Sequence, residues 1–157
     1  MILLTTTSDK LQLITASAGI VDAYVTYVDN VGSTITPGRQ TQAVITGAAT
    51  TDILSAPASS TTRNVKSAII FNAGVSNAIQ IQHTDGTNVS TMWYGTLAQY
   101  ESIIYDNNGF QRMNTAGTPV TQGFNSPRDI QVFSTAGTVS WTKPTSFTPS
   151  LVAVKVW

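Results

Sequence analysis

The 157-residue chain is expected to be all-β: an antiparallel β-sandwich or jelly-roll-like domain of about eight strands, then a linker and a short C-terminal β segment. Thr and Ser make up roughly a quarter of the residues, and Val and Ile dominate the apolar runs, a mixture that suits a pleated, half-buried surface. Apolar and polar residues alternate over short stretches, and no stripe of helical period interrupts them. Gly, Asn, Asp and Pro fall between these stretches at the close spacing of sandwiches and barrels.

Composition closes off several classes of function. Charged residues are 10% of the chain and balance to zero, so the basic footprint of a nucleic-acid binder and a polybasic membrane segment are both missing. There is no cysteine, which removes disulfide frameworks, thiolate zinc sites, iron–sulfur clusters and cysteine nucleophiles together. Met1-Ile2-Leu3-Leu4 is followed at once by Thr5-Thr6-Thr7-Ser8-Asp9, too short an apolar start for a signal peptide or a membrane span. The expectation is therefore a protein made in the cytoplasm, with no nucleic-acid partner and no membrane insertion. So weakly charged a surface repels its own copies poorly, which favours a subunit fixed in an assembly.

In Lys10–Thr15, Leu11 and Leu13 alternate with Lys10 and Gln12 and should face inward. A second strand, Ile20–Val28, is expected to end at Asp29-Asn30-Val31-Gly32-Ser33, with another turn at Thr36-Pro37-Gly38-Arg39. Thr41–Thr46 and Thr51–Ser55 follow around Gly47, and Ala56–Thr62 reads as a loop. Asn64–Phe71 and Ala78–Thr84 are the most apolar and should be central. Asp85-Gly86 predicts a two-residue hairpin turn joining Ile79–Thr84 to Thr87–Tyr94. Gly95 should break that run, Leu97–Tyr105 supplies a strand pair or a bent strand, and Asp106-Asn107-Asn108-Gly109 turns into Phe110–Met113.

Domain organisation is read as an assembly domain over 1–113, a linker over 114–128 and a short β module over 129–157. The linker carries Gly117, Pro119, Gly123 and Pro127 without periodicity. In the last module, Leu151, Val152, Val154, Val156 and Trp157 mark an apolar strand that so small a sheet cannot bury, a candidate for pairing with another chain.

Candidate chemistry is sparse, and the chain is expected to be no enzyme and to hold no cofactor or metal. His83 is the sole histidine, so any Ser-His-Asp triad must pass through it, and no Gly-x-Ser-x-Gly elbow accompanies it. A half-exposed imidazole packing at a strand end is the plainer role. Glu101 is the sole glutamate, and the aspartates fall in turns and strand edges with no carboxylate pair for acid–base work. Asp106-Asn107-Asn108-Gly109 has oxygen ligands but not EF-hand spacing. Trp93, Tyr94 and Tyr100 form an aromatic group that can stack on sugar rings, and are the candidate glycan or subunit-interface contacts. Arg39, Arg63, Arg112 and Arg128 are isolated and read as solvated or interface residues.

The blocks Leu3–Leu13, Thr36–Arg39, Arg63–Lys66, Gln82–Thr87 and Leu97–Phe110, taken in order, resemble small virion proteins of tailed bacteriophages, of the head-fibre, decoration and tail-fibre types. The C-terminal blocks Ile130–Phe133, Gly137–Pro144 and Val152–Trp157 look like the entry to a phage glycine-rich fibre domain, whose glycines would begin where this sequence stops. The resemblance implies a particle-attached β domain in a homotrimer, docked on capsid, neck or tail proteins and leading to a distal module. A structural virion subunit is thus the expected function, and a carbohydrate-binding module for host-surface attachment is the alternative.

Overall fold

The structure is a computed structural model describing residues 1–17 and 19–120, all within one compact unit, Met1–Thr121. The expected module at 129–157, with the strand Leu151–Trp157, and the linker from 121 onward lie outside the described residues. Among the described residues there are ten strands and no helix: β1 Ile2–Leu4, β2 Lys10–Thr15, β3 Val21–Val31, β4 Thr34–Ile45, β5 Ala49–Leu54, β6 Thr62–Asn72, β7 Asn77–Thr84, β8 Val89–Leu97, β9 Ser102–Asp106 and β10 Gly109–Met113.

These strands form two antiparallel sheets, as in a β-sandwich. The larger runs β10-β9-β6-β3-β4, with β1 pairing to β6 beside β9; the smaller runs β5-β2-β7-β8. Alternation places one side chain in two between the sheets. Leu11 and Leu13 of β2, Val21 and Val25 of β3, Ile70 of β6, Ile79 and Ile81 of β7 and Ile103 of β9 are fully buried there. The central position expected for Asn64–Phe71 and Ala78–Thr84 holds, because β6 and β7 are each flanked on both sides.

Ten strands stand where about eight are expected, and the differences have physical causes. Pro37-Gly38 is no turn but the middle of β4. An edge strand tolerates the missing N–H of proline, and a side chain at Gly38 would sit 2.5 Å from the Tyr27 ring. The chain turns only before Pro37-Gly38, at Gly32-Ser33 within the expected 29–33 turn, where Gly32 has a φ of 58°. Gly95 likewise stays within β8, since the Trp93 ring fills the space a Cβ would need, 2.7 Å away. Asp85-Gly86 does join two antiparallel strands, but through a four-residue turn, 85–88. The Asp85 carboxylate accepts the N–H groups of Thr87 and Asn88 and so closes the wider turn. Residues 114–120, read as the start of an extended linker, fold back on β10: Asn114 accepts from Ala116 and Thr118, and Val120 N–H donates to the Arg112 carbonyl.

At one end of the sandwich the chain crosses between sheets four times, at β2–β3, β4–β5, β6–β7 and β8–β9, and two buried asparagines hold three of these crossings, all but β4–β5. Asn77 accepts from the N–H groups of Ala16 and Ser17 and donates to the Ser17 carbonyl. Asn72 donates to the carbonyls of Val75, Leu97 and Ala98. Their amides supply the partners that an irregular backbone cannot find in a ladder.

At the opposite end of β2, Asp9 closes the β1–β2 turn by accepting from the backbone N–H and hydroxyl groups of Thr5 and Thr6. Burial alone would push its carboxyl up, but these four donors outweigh it and hold the group below the ordinary carboxylate value. A depressed pKa contributes stability that is present above the unfolded value, about 4, and is lost as the pH falls through the folded one. Asp9→Asn should therefore flatten the decline of the melting temperature between about pH 5 and pH 3, measured against wild type by calorimetry. An unchanged decline would remove Asp9 from that account.

Candidate functional site

His83 lies on β7 with its Nε2 3.8 Å from Asp9 Oδ1, beside the β1–β2 turn just described. That carboxylate is already engaged by Thr5 and Thr6. Nε2 itself is buried and has no hydrogen-bond partner among the described residues. Glu101 is engaged in structure: it accepts from Ala98 N–H at 2.7 Å and from Arg112 at 2.6 Å, bracing the β8–β9 turn against β10. Asp106 accepts from Asn108 N–H at 2.7 Å in the β9–β10 turn, where Gly109 has a φ of 95°. Among the described residues no three His, Asp or Glu side chains gather as a metal site would require.

The three aromatic candidates are not brought together. Trp93 pairs with Ile81 and packs against the core between the sheets. Tyr94, its neighbour in sequence, points the other way and is 68% exposed on the smaller sheet, opposite Gln80. Tyr100 lies in the β8–β9 turn, 56% exposed with a φ of 64°, its ring stacked on Phe71 at 6.4 Å between centroids. No single flat sugar platform contains all three. The candidates Leu151, Val152, Val154, Val156 and Trp157 lie outside the described residues.

The outer faces of the two sheets differ in chemistry. Across the smaller sheet runs a ribbon of side-chain hydrogen bonds: Lys10 and Gln12 donate to Asp52, Gln82 to Gln12, and Gln80 to Gln82 and Thr91, at 2.7–3.0 Å. Burial raises the Asp52 carboxyl, but the bonds from Lys10 and Gln12 more than reverse this and leave it lowered. This face is polar and satisfied by itself.

The larger sheet presents an apolar row instead. Tyr24, Ile69 and Ile104 stand directly opposite one another on β3, β6 and β9, on the face turned away from the core. Phe71 and its stacked Tyr100 adjoin them. Ile69 is 43% exposed on the sheet's central strand, a position that suits isoleucine as a strand former but leaves its side chain open to solvent.

Beyond Tyr24, toward the β3–β4 edge, the same face carries an open cleft of about 500 Å³, lined among others by Tyr24, Thr26, Val28, Pro37, Arg39 and Lys66. Arg39 is directly across from Thr26, whose hydroxyl bonds that of Ser67 at 2.7 Å. Lys66 is the unpaired residue of a β-bulge in β6, which places it on the cleft. In sequence Arg39 is an isolated cation and Lys66 carries no signal of its own; the pairing of β4 and β6 to β3 brings both to one cleft. Comparisons of the chain with protein families, curated proteins and solved structures found no match.

Proposed function

We propose that the protein is a structural subunit of a bacteriophage particle, acting through self-association and docking rather than chemistry. The observation that carries this reading is the contiguous apolar row Tyr24–Ile69–Ile104 with Phe71 and Tyr100 on the outer face of the larger sheet. Exposed apolar residues scattered singly need no explanation, but a connected set on the middle strands of a sheet marks a surface that another chain covers. Sister copies in a homotrimer would cover it symmetrically, and the outward faces would be left for other virion proteins. The phage assignment rests on the resemblance of the N-terminal blocks, and the sandwich fold is compatible with it.

Sedimentation equilibrium of the full chain should give a trimer at micromolar concentration. Ile69→Lys, which places a charge in the middle of the row without entering the core, should weaken association by about 100-fold or more and yield folded monomer by circular dichroism. A wild-type chain that stays monomeric at tens of micromolar, or an Ile69→Lys protein that associates as wild type does, would overturn the assembly reading. Immunogold labelling of particles from the genome encoding the chain tests the virion assignment; unlabelled particles would refute it.

A further inference from the structure

We infer that the cleft between β3, β4 and β6 binds carboxylate-bearing sugar units of an acidic polysaccharide. Five side-chain cations lie among the described residues, and three of them are in ion pairs: Lys10 with Asp52, Arg63 with Asp29 and Arg112 with Glu101. The remaining two, Arg39 and Lys66, pair with no acidic group among the described residues, and both line this one cleft. Two like charges held on one concave surface raise its positive potential and favour an anion there.

The walls narrow the class of anion. Tyr24, Val28 and Pro37 present aromatic and aliphatic surface in the same cleft as the cations. A phosphate ion or a single acidic side chain would answer the charge but leave that apolar wall wet. A uronate ring answers both, its carboxylate meeting Arg39 and Lys66 while its C–H face packs on Val28 and Pro37. Tyr24 stands between this site and Ile69 and belongs to both surfaces, so the sugar is placed on the Val28 and Pro37 side of the cleft. This site moves the glycan contact from Trp93, Tyr94 and Tyr100 to residues that sequence order keeps apart.

Calorimetric titration of the full chain with tetragalacturonate tests this, with neutral galactotetraose, tetraglutamate and inorganic phosphate as comparators. Saturable binding of tetragalacturonate alone is expected, weakened at least tenfold in Arg39→Gln/Lys66→Gln and reduced at high salt, where exposed charges are screened. The double variant should keep the wild-type melting temperature and sedimentation coefficient, so failure of this site and failure of the assembly reading remain separate results. Equal binding of the neutral tetramer, binding of tetraglutamate or phosphate as tight as that of the uronate, indifference to the double substitution, or no binding at about 10 mM uronate would each overturn the proposal.

Discussion

Replacing Arg63 with alanine is expected to lower the unfolding free energy by about 3 kcal/mol, a large share of the 5–15 kcal/mol typical of a domain. Arg63 is buried on β6 and spends every face of its guanidinium. Nε and Nη2 donate to the two oxygens of Asp29 on β3, each at 2.8 Å, and Nη1 donates to the Ser55 carbonyl at 2.9 Å. Its Cζ stands 3.9 Å from the centre of the Tyr27 ring. The bonds to Asp29 raise its pKa further, so it is a cation at any working pH. Truncation leaves Asp29 and the Ser55 carbonyl without their partner and a gap against Tyr27. Arg63→Lys should recover only part of the loss, since an ammonium cannot bridge both carboxylate oxygens and the carbonyl at once. Urea denaturation measures all of this; a loss under about 1 kcal/mol for Arg63→Ala would mean that solvent replaces the network.

The fold class was legible because period-two alternation reports burial directly: Leu11 and Leu13, or Ile79 and Ile81, read as inward-facing in sequence and are fully buried. Other features depend on partners that a linear reading cannot name. Pro37-Gly38 carries turn chemistry, yet its role comes from an edge position and from Tyr27 across the ladder. Gly95 reads as a breaker, yet its missing side chain makes room for Trp93. β1 has only three residues, too few to show a period, and is strand because β6 offers it a free edge beside β9.

The candidate surfaces were less legible for the same reason. Trp93 and Tyr94 are adjacent in sequence, and that adjacency is what sends them to opposite faces of β8. The apolar row is carried one residue per strand by β3, β6 and β9, so no local window contains it. Arg39 and Lys66 come to line one cleft only after β3 has paired on both sides. The bulge that exposes Lys66 leaves no mark in a run that otherwise alternates correctly.

Asn72→Ala is expected to cost about 3 kcal/mol as well, and to reach the assembly surface. The residue is fully buried, and its Nδ2 serves the carbonyls of Val75, Leu97 and Ala98 at 2.9, 3.1 and 3.1 Å, while Oδ1 accepts from Gly74 N–H. Nδ2 has two hydrogens, so at least two carbonyls lose a shared donor on truncation, and burying an unpaired carbonyl costs about 1–3 kcal/mol each. Asn72→Asp should be at least as harmful, because it turns a carboxylate oxygen toward those carbonyls. The main chain of Asn72 also accepts from Tyr100 N–H at 2.6 Å and donates to the Glu101 carbonyl at 3.0 Å. These bonds hold Tyr100 in its left-handed conformation, which a residue other than glycine adopts only under constraint, and so hold its ring against Phe71. Loosening this corner should therefore increase amide hydrogen exchange at Gly74, Tyr100 and Glu101 and weaken self-association, with β2 and β7 remaining protected. If exchange rises uniformly through both sheets, Asn72 stabilises the whole sandwich rather than the turn that presents Tyr100, and the link from this amide to the apolar row is broken.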